Sequence, residues 1–148
     1  MRAKDRINII LFGKAAEDGK VFYDALANLE LPHSIINFTG INQISTYLDT
    51  VNPLLHNVLI FYVSKFHNAY LSHIETVRQI PRYQNFSILL YDPVGAINEE
   101  EAFAAGANIY LHKPSDSKQF KIKLRHLFGV NCQYLGGNLN HETFFLSI

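Results

Sequence analysis

The amino-acid sequence predicts an α/β fold, a five-stranded parallel sheet with helices on both faces. Three observations carry that expectation. Short apolar runs rich in β-branched residues alternate with segments whose apolar residues recur at helical spacing. The runs are continuously apolar, as in strands covered on both faces, rather than alternating. Finally, the stretch from Ala104 to Pro114, AAGANIYLHKP, ends a strand on Lys113 and Pro114, which central strands avoid. In an open α/β sheet, that carboxyl rim is where ligands bind.

The elements follow in order. Ile7 to Phe12 reads as the first strand, and Gly13 to Gly19 as a loop. Val21, Phe22, Ala25, Leu26 and Leu29 mark a helix that Pro32 stops. Ser34 to Phe38 is the second strand, and Ile41, Ile44, Leu48 and Val51 lie on one face of the next helix. Asn57 to Val63 is the most strand-like segment, followed by a helix through Tyr70, Ile74 and Val77 that Pro81 breaks. Phe86 to Tyr91 is the fourth strand, closed by Asp92-Pro93. A short helix near 98–105 leads into the fifth strand, Asn108 to Leu111. Ser115 or Asp116 can cap a last helix that buries Phe120, Leu124, Leu127 and Phe128.

After Gly129 the composition changes. Residues 129–148 hold one charged residue, Glu142, and their apolar stretches flank the turn-prone GGNLN. A hairpin-like extension is expected there, beyond a domain of residues 1–128. Its apolar end, Phe144, Phe145, Leu146 and Ile148, would be an aggregation hazard if exposed. It is therefore expected to dock along a sheet edge of its own domain or of an exchanged copy.

Composition excludes several function classes. The 148 residues suit one domain, with 48% hydrophobic and 18% charged residues. Formal net charge is zero, which gives no footprint for nucleic acid or a membrane surface. The single Cys132 rules out an internal disulfide, and no apolar run is long enough to span a membrane. A cytoplasmic protein is expected.

Chemical motifs fail on their spacing. A phosphate-binding loop needs four residues before Gly-Lys and then a hydroxyl, whereas five separate Gly13 from Gly19-Lys20 and Val21 follows. The seven His form no ligand pattern, and Cys132 has no designated base. Neither a metal nor a cofactor is expected, and no catalytic residue. What remains is the rim, where Gly13, Lys14, Tyr62, Ser64, Tyr91, Asp92 and Lys113 should converge.

The order of elements and AGANIYLHKP resemble the receiver domain of two-component response regulators, over about residues 7–128. That resemblance implies a flavodoxin-like fold, with an acidic pair after strand one and a phosphoacceptor aspartate ending strand three, together holding Mg²⁺. It further implies a hydroxyl after strand four, a lysine ending strand five, and an aromatic switch three residues before that lysine. By position, the lysine is Lys113, the aromatic is Tyr110, and Pro114 follows a cis peptide bond. The acidic pair falls on Gly13 and Lys14, the acceptor on Tyr62 and the hydroxyl on Tyr91. Gly and Lys offer Mg²⁺ no carboxylate. A protonated phenol is a poor phosphoryl acceptor. The chain resembles a degenerate receiver.

Three functions follow as expectations. The first is a non-enzymatic, phosphorylation-independent signalling module of the phosphorelay type. It would contact a protein partner, or a second copy, through a face containing Tyr110, Lys118, Lys121 and Arg125. The second is a sensor that binds a small anion through Lys14, Lys20 and Lys113. The third is a receiver with a displaced acceptor, Ser64 or Asp92. A Lys113–Asp92 ion pair could fix the rim in one state, or Asp92-Pro93 could simply begin a turn. The phenols of Tyr62 and Tyr91 are expected to fill the rim pocket, packing on each other and on the methylenes of Lys113.

Overall fold

A computed structural model describes residues 7–13, 24–28, 33–38, 41–51, 56–63, 69–83, 86–93, 95, 97–112, 117–134 and 146–147. The strands are β1 (Ile7–Phe12), β2 (His33–Phe38), β3 (His56–Tyr62), β4 (Ser87–Asp92), β5 (Ile109–His112) and β6 (Leu146–Ser147). The helices are α1 (24–27), α2 (Ile41–Leu48), α3 (Ala69–Arg78), α4 (Glu99–Ala105) and α5 (Ser117–Tyr134). One sheet runs β2-β1-β3-β4-β5-β6, with every neighbouring pair parallel. Strand order reverses at β1, so the crevice between the carboxyl ends of β1 and β3 is the topological switch point.

Strand alternation divides the apolar residues between two cores. Ile10, Leu59, Phe61, Ile88, Leu90 and Tyr110 face a layer containing Ile44 and Leu48 of α2, Ile74 and Val77 of α3, and Ala102 of α4. Ile9, Leu11, Ile60, Tyr62, Leu89 and Tyr91 face Leu26 of α1 and Phe120, Leu124 and Leu127 of α5. Because both faces are covered, the strand sequences are continuously apolar; β4 is buried along its whole length.

Helix ends are built locally. Asn98 accepts the Glu100 and Glu101 amides at 2.7 and 3.3 Å, and Glu99, Glu100 and Glu101 complement the positive end of α4. Gly106, at φ 118°, closes α4 by donating its amide to Phe103 O.

The carboxyl-terminal region departs from the expected hairpin. Instead of turning at Gly129, α5 runs on to Tyr134 across the expected 128/129 boundary. A lone glycine inside a helix costs only about 1 kcal/mol, which a long, already nucleated helix absorbs. Leu146–Ser147 then adds a sixth strand, in register with Ile109 and Tyr110. GGNLN lies outside the described residues.

Candidate functional site

The rim at the switch point is set by backbone contact. Gly13 ends β1 at φ 148°, with its amide bonded to Phe38 O at 3.0 Å. A Cβ at position 13 would lie 2.8 Å from Tyr62 Cβ and 2.9 Å from Tyr62 O. One of those atoms is main chain and cannot swing away, so glycine is required for β1 and β3 to end this close together.

Tyr62 and Tyr91 occupy paired positions on β3 and β4. Their rings meet edge to face, with centroids 5.3 Å apart and planes at 70°, and each residue is only 4% exposed. Tyr91 also packs on Phe120 of α5 at 5.7 Å. Both phenols thus belong to the α1/α5 core.

On the opposite face, Asp92 organises the β4–α4 loop. This residue is 1% exposed. Its Oδ1 accepts the Gly95 amide at 2.9 Å, and its Oδ2 accepts the Ile97 amide at 2.8 Å. The Tyr110 hydroxyl stands 2.6 Å from Asp92 Oδ2 and 2.8 Å from Ile97 O. The carboxylate is the stronger acceptor for its one proton. Asp92 therefore starts the turn that Asp92-Pro93 suggests, and it also ties β4 to β5.

Tyr110, expected on a contact face with Lys118, Lys121 and Arg125, lies inside the fold. The residue is 2% exposed, drawn beneath α4 by its bond to Asp92. Lys118, Lys121 and Arg125 are exposed on α5, which covers the other face of the sheet. At the end of β5, the His112 ring packs 4.7 Å from that of Tyr110 and its Nε2 lies 2.7 Å from Glu99 Oε1.

Burial raises the Tyr110 phenol above its ordinary pKa of 10.0, and the hydrogen bond and charge of Asp92, then the charge of Glu99, raise it further. The folded chain therefore keeps this proton at a pH where the unfolded chain releases it. The stabilisation is complete below about pH 10 and falls as pH rises above that value. Phenolate absorbance should show Tyr110 among the tyrosines that resist ionisation until unfolding, and Tyr110→Phe should lower their number by one.

Arg78 carries no signal in the sequence. From the end of α3 its Nε and Nη2 donate to Gly106 O at 3.0 and 2.8 Å, and its Nη1 to Phe86 O at 3.0 Å. Nη2 also donates to Asn108 Oδ1 at 2.6 Å, an atom that accepts the Ile88 amide as well. The guanidinium thereby joins α3, β4 and the α4–β5 connection, and burial lowers its pKa to about 10. No motif marks it, since the carbonyls it reaches come together only in the fold.

Lys14, Lys20, Ser64, Lys113 and Pro114 lie outside the described residues, as do the proposed Lys113–Asp92 pair and the Lys113–Pro114 peptide bond. Among the described residues, no group of three His, Cys, Asp or Glu could hold a metal. Among the described residues, the donors at the switch point do not suit Mg²⁺: position 13 has no room for a carboxylate, and position 62 presents a core phenol. Among the described residues, no helix is long and apolar enough to cross a membrane.

No family model matches the chain, and no curated protein matches it by sequence. Solved structures do. A response regulator in red light signalling of R. palustris superposes with a TM-score of 0.67 at 13% identity, over 82% of this chain and 90% of that one. A chemotaxis response regulator of Vibrio cholerae gives 0.62 at 14%, over 82% and 98%. The phosphorylated form of a cyanobacterial phytochrome response regulator gives 0.63 at 15%, over 89% and 96%. At these identities the likeness is one of fold, the five-stranded parallel receiver architecture.

Proposed function

We propose that the chain is a phosphorylation-independent signalling module of receiver type, acting by protein–protein contact and without enzymatic chemistry. The receiver fold supports signalling as the class of function. The observation that carries the reading is the approach of Gly13 to Tyr62, which leaves no space for an acidic side chain where the receiver pattern requires one. Asp92 is a poor substitute acceptor, because a buried carboxylate with three donors has little nucleophilic capacity left. With Tyr110 held inside by that same carboxylate, the module has one state and signals by being present. Lys118, Lys121 and Arg125 give a partner an exposed basic surface on α5.

Incubation with acetyl phosphate and Mg²⁺, read by intact mass, should show no phosphoryl adduct. An adduct that disappears on Asp92→Asn would instead identify a displaced acceptor. Tyr62→Asp should not restore transfer, because the metal ligands are still missing. Gly13→Asp should not supply them. It should lower stability by about 2–3 kcal/mol, from strained backbone and overlap with the β3 main chain. Urea melts and Mg²⁺ calorimetry check both expectations.

A further inference from the structure

The two edges of the sheet are built differently. β2, at one edge, is only partly buried and carries His33, Ser34 and Asn37, the polar dilution that discourages edge pairing. Along β5, Ile109, Tyr110 and Leu111 are 2%, 2% and 1% exposed, and the first exposed polar side chain, His112, comes only at its last residue. β5 is composed as an internal strand, and β6 makes it one, through the pairs Ile109↔Leu146 and Tyr110↔Ser147. A two-residue strand contributes few ladder bonds, so it belongs to the least stable part of the sheet.

We propose that the outer edge of β5 is a strand-docking site, filled in cis by the chain's own 146–147 segment and open to the same segment of a second copy in trans. Recognition is by backbone pairing in parallel register, so any copy carrying the segment satisfies it. Eleven residues, 135–145, join α5 to β6 and include Gly136-Gly137; extended, they span at most about 40 Å, enough for a neighbouring copy. The inference rests on sheet pairing, not on the signalling reading, and either can fail without the other.

The test uses the full chain carrying Leu146→Pro and Ser147→Pro, which cannot donate to the ladder. Its probe is a labelled peptide of residues 141–148, HETFFLSI. The variant should bind the peptide roughly tenfold or more tightly than the wild type, whose own segment competes. Equal binding, or no binding to a folded variant, would overturn the proposal. Hydrogen exchange on the wild type decides independently of the variant's folding. The Leu146 and Ser147 amides and the β5 amides turned away from β4 should open together, before β1 and β3. Free-peptide exchange at 146–147 would rule the docking out. In the wild type, a concentration-dependent dimer whose formation the peptide inhibits is the expected trans species; a strict monomer at every concentration would reject the trans half.

Discussion

Replacing Asp92 by alanine should destabilise the protein by about 3 kcal/mol, because the buried Ile97 amide and the part-buried Gly95 amide lose their acceptor, at about 1–3 kcal/mol for a buried donor, and the Tyr110 hydroxyl is left with Ile97 O alone. The donors are the Gly95 and Ile97 amides and the Tyr110 hydroxyl. Asp92→Asn keeps one carbonyl oxygen but not the charge, so its loss should be smaller, about 1–2 kcal/mol. Tyr110→Phe removes a single donor from a carboxylate that retains two others, and should fall in the same range of about 1–2 kcal/mol. The decisive quantity is the coupling in a double-mutant cycle. Asp92→Ala should cost less in the Tyr110→Phe background, since the charge-assisted Tyr110–Asp92 bond is already gone. Additive urea-melt free energies would mean that the 2.6 Å contact carries no energy.

Arg78→Met should be as damaging, at about 3–5 kcal/mol, although it preserves most of the side-chain volume. Gly106 O, Phe86 O and Asn108 Oδ1 would lose charged donors, the last two on residues that are 1% and 2% exposed. Lysine should rescue little, since one ammonium cannot reproduce donors fixed in a planar fork across three segments. Gly106 tightens the requirement further, because its Cα approaches so closely that a Cβ there would lie 2.8 Å from Arg78 Cγ.

Much of the fold is legible in the sequence because buried parallel strands leave continuous apolar runs. The five expected strands appear within a residue or so of the boundaries read from those runs. Helix faces were legible for the same reason: Ile44, Leu48, Ile74, Val77, Phe120, Leu124 and Leu127 are all in the core. The carboxyl-terminal region was not, since a Gly at position 129 weakens a helix without ending it and a two-residue strand leaves no periodicity to read. In the site, the Tyr62–Tyr91 contact followed from strand ends in register. The Gly13–Tyr62 approach and the Arg78 bonds did not, because each depends on how near two main-chain segments come. Asp92 invited an electrostatic role on the rim. Its amide partners, three and five residues on, follow from loop geometry, and Tyr110 from strand pairing.

Locked geometry around Asp92 and Tyr110 is most directly tested by backbone and tyrosine NMR of the full chain, titrated with Mg²⁺ and beryllofluoride, which mimics a bound phosphoryl group. The resonances of Asp92, Gly95, Ile97 and Tyr110 should not move beyond the shifts that salt alone produces, and the Tyr110 ring should keep its contacts to α4 throughout. Saturable shifts at those residues, with the Tyr110 ring leaving Asp92, would contradict a single-state module and return the chain to the class of switching receivers.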